Sequence, residues 1–223
     1  YLETVDIQAN IETIPGYCFG WCGNLQSITI PESVERIQNC AFIYCQNLTD
    51  ISISGNNFIV KDNAIYTADG TTLVAYPSAS ESVEIPETVK TIGAGAFAGS
   101  LVNSITIPES VTIIGREAFR ECRNFQTVEI LANVSVLPGY MFSYCENLTS
   151  VTIPATVTSI ETGAFVGCNN LISVTFKDTN GWYVSENKDS GSDGDSVDVD
   201  DSLTNAELLL GDYCYYYWTK VEE

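Results

Sequence analysis

Eight cysteines and twenty-nine carboxylates are the side chains of this sequence with chemistry to offer, and no histidine accompanies them. A thiol becomes a nucleophile when a base or a cation lowers its pKa, and the usual base is an imidazole. Without His, Cys/His and Ser/His/Asp catalysis are excluded, together with His-ligated metals and a histidine pH switch. Paired carboxylates do general acid–base work only where burial or repulsion separates their pKa values. Glu84 and Glu129 form a pair on an open strand face, where nothing is expected to desolvate them. The acidic run from Ser185 to Ser202 holds Glu186, Asp189, Asp193, Asp195, Asp198, Asp200 and Asp201. Hard cations want clustered oxygens, yet this run is a poor calcium loop. Gly191 takes a ligand place, and Asp200 stands where a bidentate Glu belongs. A solvated loop is the expectation, and the chain calls for no cofactor, no metal and no catalytic residue.

The elements that position these groups follow from an internal repeat. Units start near Leu2, Leu25, Leu48, Ser80, Val102, Phe125, Leu148 and Leu171, at spacings of 23, 23, 32, 22, 23, 23 and 23 residues. With each start as position 0, positions 3 and 5 are apolar, from Val5 and Ile7 to Val174 and Phe176. That alternation predicts a short strand with one face inward. Pro31, Pro86, Pro108 and Pro154 end the strands, since proline brings no N–H to a ladder. Position 17 is Phe in six units (Phe19, Phe42, Phe97, Phe119, Phe142 and Phe165). The Ala-Phe pair and the cysteine three residues later sit at helical spacing, so a short helical turn is expected to close each coil. One coil cannot bury its own apolar face, whereas stacked coils can.

The register assigns most of the thiols. Cys22, Cys45, Cys122, Cys145 and Cys168 share position 20 and are expected to form an inward ladder of free thiols, packed as small apolar groups. Cys18 takes the place of the Ala before Phe and is expected to be buried too. Cys40 shares the position of Tyr17 and Tyr140, nearer the surface. Short polar residues recur at position 8 (Asn10, Ser33, Asn56, Thr88, Ser110, Asn133 and Thr156), where a hydrogen-bonding ladder between coils is expected.

Leu148–Asn170 spells L-x-x-V-x-I-P-x-x-V-x-x-I-x-x-x-A-F-x-x-C, and Val102–Asn124 follows it with Val102 for the Leu and Ile105 for the first Val. This pattern resembles the BspA-like, or Treponema-type, leucine-rich repeats over residues 2 to about 178. The resemblance implies a leucine-rich-repeat solenoid, a right-handed superhelix of parallel strands. It also implies a secreted or cell-surface protein of a host-associated microbe, some relatives of which bind host matrix proteins. It carries no catalytic residues.

Two segments depart from the repeat. In residues 58–77, Asp69-Gly70 between two apolar runs predicts a β-hairpin inserted into the solenoid of residues 1–178. It is read as a structural joint between two stacks rather than as a protruding contact ribbon. Residues 179–223 form an α+β capping module around the acidic loop 185–202. Thr204-Asn205-Ala206-Glu207 fits a capping box before a helix, and Tyr213 to Trp218 a final aromatic strand. At the other end Leu2 is already a repeat position, so repeats or a cap are expected upstream.

Binding surfaces are the remaining place for function. Nine Lys and Arg against twenty-nine Asp and Glu give a net charge of -20, which argues against nucleic acid and anionic lipid. No apolar run reaches the length of a membrane span. Hydrophobic residues are 45% of the chain, enough for a core. Positions 2 and 4 of the units point outward and make a concave strand face: Thr4, Asp6, Ser27, Thr29, Asp50, Ser52, Ser82, Glu84, Ser104, Thr106, Thr127, Glu129, Ser150 and Thr152. Solenoids bind through such faces, and this one would suit a host matrix or cell-surface protein. An alternative patch is aromatic: Tyr17, Trp21, Tyr44, Tyr140 and Tyr144, at positions 15 and 19. The other reading of the whole chain is a spacer that presents another domain.

Overall fold

The computed structural model describes residues 2–77, 83–187, 194–211 and 213–221. Among the described residues, seven primary strands recur where the alternation places them: Thr4–Asp6, Ser27–Ile30, Asp50–Ile53, Ser104–Ile107, Thr127–Ile130, Ser150–Ile153 and Ser173–Phe176. All pair in parallel with like positions facing, as in Ile105↔Val128 and Val151↔Val174. They form a three-stranded and a four-stranded sheet. Residues 83–86, in the unit between them, are not in a strand.

A second row of strands follows in each coil, only two residues long, such as Thr13–Ile14, Ile113–Ile114 and Ser159–Ile160. Position 12 supplies its inward side chain, and Ile14, Ile92, Leu137 and Ile160 are buried there. The sequence shows this apolar position, but two residues are too few to reveal a strand by alternation.

The third side of each coil is not helical. Tyr17, Trp21, Cys40, Tyr44, Glu117, Glu121, Tyr140 and Tyr144 all have φ between 56° and 60°, so a left-handed residue returns every four positions. Bonds such as Cys18 N–H to Pro15 O and Cys22 N–H to Phe19 O close β-turns instead of helical turns. This leaves amides free to reach the next coil. Phe119 N–H donates to Met141 O and Glu121 N–H to Ser143 O, with the same pattern at Phe97, Gly99, Phe142 and Tyr144. Helical spacing misled because three- and four-residue intervals also describe consecutive β-turns.

Inside, the phenylalanines stack coil on coil. Phe97, Phe119, Phe142 and Phe165 follow one another with centroids 5.1, 5.4 and 5.6 Å apart. Tyr76 takes the missing phenylalanine's place in the third unit, 5.1 Å from Phe97, and its N–H donates to Ala96 O as a phenylalanine's would.

The hairpin about Asp69-Gly70 is present, and a further strand before it makes the insert a three-stranded meander. Phe58–Lys61 and Ala64–Thr67 are joined by Asp62 and Asn63, both at positive φ, and Asp69-Gly70 leads into Thr72–Ala75. Its middle strand is buried on both faces. Ile65 packs into the N-terminal core, while Ala64 and Tyr66 pack into the C-terminal one. Since the meander has no turn flank, the flank of the second unit rests directly on that of the fourth. Cys40, Ile43 and Ala98 cluster there with Tyr44 against them. Gly95 and Gly99 make this possible. Both have positive φ, and a Cβ on Gly99 would lie 2.8 Å from the Tyr44 ring. Cys40 is therefore buried rather than superficial.

The C-terminal helix is Ser202–Leu210, earlier than the Thr204 capping box predicts. Asp201 is its cap, accepting from Leu203 N–H at 3.1 Å and from the Thr204 hydroxyl at 2.7 Å. Buried Asn205 donates to Val174 O and Val199 O, both at 2.9 Å, and so satisfies a carbonyl of the last primary strand. The final strand, Tyr217–Lys220, runs antiparallel to Ser159–Ile160 and to Trp182–Ser185, closing the second row. Tyr213 to Tyr216 precede it as turns. Asp189 and Asp193, the core of the calcium reading, lie outside the described residues.

Candidate functional site

The strand face presents what its register dictates. Thr4, Asp6, Thr29, Asp50, Ser52, Glu84, Ser104, Thr106, Thr127, Glu129, Ser150 and Thr152 are exposed, and Ser27 is half-buried. Ser82 lies outside the described residues. Neighbouring side chains bond across strands, Ser27 to Thr4 at 3.1 Å and Thr106 to Glu129 at 3.2 Å. Where the primary row is interrupted at residues 83–86, the face opens into a cleft of about 520 Å³. Glu84, Glu87 and Glu129 line it with Ser104, Thr106 and Thr127, and no Lys or Arg is among its lining residues. Glu87 was not foreseen, because it follows the strand's closing Pro86. The signal was Ser80, which starts its unit where the others carry an apolar residue. Three carboxylates with hydroxyl neighbours can receive cationic and donor groups.

On the turn flank the structure gathers Tyr17, Trp21 and Tyr44. Tyr17 and Trp21 have centroids 6.1 Å apart and planes 13° from parallel, and Trp21 and Tyr44 stand 6.1 Å apart at 21°. The Tyr17 hydroxyl donates to Glu117 at 3.4 Å, and that of Tyr44 to Glu121. A hydrogen bond with the Cys40 thiol, then burial, pushes Tyr17 up to about 12. Tyr140 and Tyr144 are separate from this group, over Gly163 and Gly167, with Arg116 5.5 Å above the Tyr140 ring.

The buried ladder thiols are shielded in the folded protein. All eight cysteines are free. Cys45, Cys122, Cys145 and Cys168 are buried and do more than fill space. Each Sγ donates to the Phe carbonyl of a preceding coil: Phe19, Phe97, Phe119 and Phe142, at 2.9 to 3.1 Å. Ser100 occupies the ladder position in the fourth unit, 3.4 Å from Cys122 Sγ. Desolvation pushes Cys45, Cys122 and Cys168 up to about 12, and Cys145 well above the ordinary 9.0. Cys18 departs from expectation and is exposed, because it lies in the first coil with no coil above it among the described residues. Thiol labelling of the native protein should therefore mark Cys18 first, and the four buried ladder cysteines only on unfolding, as peptide mapping would show. Labelling of Cys145 at the native rate would contradict the ladder.

The coil-to-coil side-chain bonds fall mainly at a different position from the one expected. At position 8, Ser110 donates to Val89 O at 2.8 Å and Thr88 to Gly70 O at 3.3 Å, while Ser33 Oγ is buried without a partner. The regular ladder is at position 22, where Asn47, Asn124, Asn147 and Asn170 each donate to a carbonyl one coil earlier.

This architecture has counterparts. A model of the BspA type leucine rich repeat region matches in six copies, over residues 1–80 and 75–182. The chain belongs to the BspA-type leucine-rich repeat family. Among solved structures of similar fold is a leucine-rich repeat protein from Eubacterium ventriosum, 27% identical, with a TM-score of 0.63 over 78% of this chain and 54% of that one. A leucine rich cell surface protein from Faecalibacterium prausnitzii is 24% identical, with a TM-score of 0.64 over 80% and 61%. The pneumococcal vaccine antigen PcpA is 20% identical, with a TM-score of 0.68 over 81% and 52%. The chain thus spans between half and two thirds of the length of these BspA-type and related solenoids. No curated protein matches it.

Proposed function

We propose that this chain is a non-catalytic, secreted or cell-surface binding module that engages a basic surface of a host matrix or cell-surface protein through its outward strand face. The observation that carries the reading is the cleft at the break in the primary row, where Glu84, Glu87 and Glu129 converge without a cation among the lining residues. The rest of the face is short, polar and neutral or acidic, and none of its positions is Lys or Arg. A large regular surface of one sign steers and orients a partner of the other sign. Two proteins of similar structure, a cell surface protein and a vaccine antigen, support an exposed location. Among the described residues, no helix is long and apolar enough to cross a membrane.

Surface plasmon resonance against a panel of basic matrix proteins tests the reading. Binding should weaken in the Glu84→Lys, Glu129→Lys double variant by about tenfold or more, mainly through slower association, and raised salt should do the same to the parent. Both side chains are exposed, so the melting temperature should hold. Association that ignores both changes removes the strand face from consideration, and silence across the panel favours a spacer.

A further inference from the structure

The break in the primary row also affects the backbone. In the regular stack, Ile7 N–H at position 5 donates to Thr29 O at position 4 of the following coil, at 3.1 Å. The counterpart across the break is Ile85 N–H to Thr106 O. Among the described residues, no backbone hydrogen bond joins residues 83–86 to Ser104–Ile107, the outer strand of the four-stranded sheet. Pro108 contributes to the gap, since it cannot donate to Ile85 O as Lys177 N–H does to Ile153 O at 3.0 Å. Elsewhere the same two coils stay tied. Thr91–Ile92 pairs with Ile113–Ile114, and Phe97 N–H donates to Ala118 O at 2.8 Å. The opening is therefore local to the strand face.

Residue parity decides what the open edge offers. Along a strand, the N–H and C=O of one residue point to one side and those of the next residue to the other. Ile107 faces the following coil, where its C=O accepts from Leu131 N–H at 2.9 Å. Ser104 and Thr106 therefore turn both groups toward the break. An unpaired edge is a template for another strand unless Lys, Pro or a bulge blunts it. Ser104–Ile107 contains no Lys and no Pro, and its register with Thr127–Ile130 is unbroken. The cleft of about 520 Å³ lies against this edge, lined by Ser104, Ile105 and Thr106 together with Val83, Glu84 and Ile85.

Charge narrows the occupant. A second copy of this chain, at -20, would bring carboxylates to carboxylates. We propose that Ser104–Ile107 accepts an extended basic segment of a partner protein, which adds to the sheet as a further strand in the cleft. Its main chain would bond to Ser104 and Thr106, while its side chains alternate between the two faces. Every second one would share the outward face with Glu84, Glu87 and Glu129, so Lys or Arg at alternate positions meets the carboxylates. The inference rests on the strand-face reading for the sign of the partner and adds a backbone pairing which that reading does not require.

Three peptides of equal charge separate pairing from attraction: six Lys-Thr pairs, the same chain with every Thr nitrogen methylated, and the same with every Lys nitrogen methylated. By calorimetry the parent peptide should bind with a Kd below about 1 mM. One methylated peptide should lose at least about tenfold and the other keep most of the affinity, because only one set of N–H groups faces the edge. In the complex, amide exchange at Thr106 should slow by at least about tenfold while that at Ile107 holds. Glu87→Lys should weaken the peptide by about tenfold without moving the melting temperature, since Glu87 is exposed. Equal affinity for all three peptides would show attraction by charge alone and overturn the proposal. So would absence of binding, or a dimer of the parent that the peptide disperses. Matrix proteins that bind without protecting Thr106 would overturn the strand addition and leave the strand-face reading in place. Peptide binding with Thr106 protected, beside matrix proteins that fail to bind, would do the reverse.

Discussion

Phe119→Ala is expected to cost about 3–5 kcal/mol, a large share of the roughly 5–15 kcal/mol that holds a typical domain together. Phe119 is fully buried, and it stacks on both Phe97 and Phe142 while meeting Phe125 at 5.7 Å. Truncation removes a ring from the middle of a column, and the coils cannot close the gap. Their spacing is fixed by backbone bonds on either side, Phe97 N–H to Ala118 O and Phe119 N–H to Met141 O. Solenoid contacts are between nearest neighbours, so hydrogen exchange should accelerate first in the coils around residues 97–142 and least near residues 4–53. Urea melts give the total. Phe19→Ala, at a half-buried ring that stacks on Phe42, should cost clearly less. A loss below about 1 kcal/mol at Phe119 would mean that the column contributes little beyond filling volume.

Alkali should unfold this protein steeply. Burial holds Cys45, Cys122 and Cys168 at about 12 in the folded chain, against an ordinary 9.0, and Cys145 moves in the same direction. Below pH 9 these thiols are neutral whether the chain is folded or not, and their contribution is intact. Above it the unfolded chain loses protons that the folded chain keeps, so stability falls as pH rises toward 12. Each such group removes about 1.4 kcal/mol per pH unit, and three together about 4 kcal/mol. Tyr66, pushed up to about 12 mainly by burial, adds a loss of the same sign. Urea midpoints at successive pH values in the presence of reductant would show the slope. Cys122→Ser should flatten it by about one group's share, since Ser does not titrate and Ser100 already occupies a ladder position. A midpoint that stays level from pH 8.5 to 10.5 would place the ladder thiols in contact with water.

The repeat made the primary strands, the phenylalanine column and the cysteine ladder legible, because each rests on a side chain that recurs at a fixed place. What stayed hidden depends on backbone geometry or on what is missing. Tyr17, Trp21, Cys40 and Tyr44 occupy left-handed positions that Gly95, Gly99, Gly163 and Gly167 also fill, and this mixture of residue types carries no single signature. Cys40 is buried because an absent flank lets the second unit meet the fourth, a contact across more than fifty residues. The thiol-to-carbonyl bonds needed the coil spacing to be seen. Glu84 and Glu129 are exposed, as their outward register predicts, while the cleft that joins them to Glu87 lies where residues 83–86 form no strand. Glu117 and Glu121, which hold the tyrosines in place, had no sequence signal, since they sit in a unit four repeats away from Tyr17.

The thiol and asparagine bonds between coils also bear on how such a gene changes length. Between residues 102 and 170 successive units offer the same thiol and amide on one side and accept the same pair on the other. A duplication or deletion of one 23-residue unit there keeps these bonds in register. At the meander the fit is particular: Gly95 and Gly99 leave room for Cys40 and Tyr44, and a copied unit with side chains at those two positions would collide with them. The C-terminal stack carries the same condition at Gly163 and Gly167, beneath Tyr140 and Tyr144, so recombination there keeps the thiol and amide bonds in register but must also keep a glycine under each tyrosine.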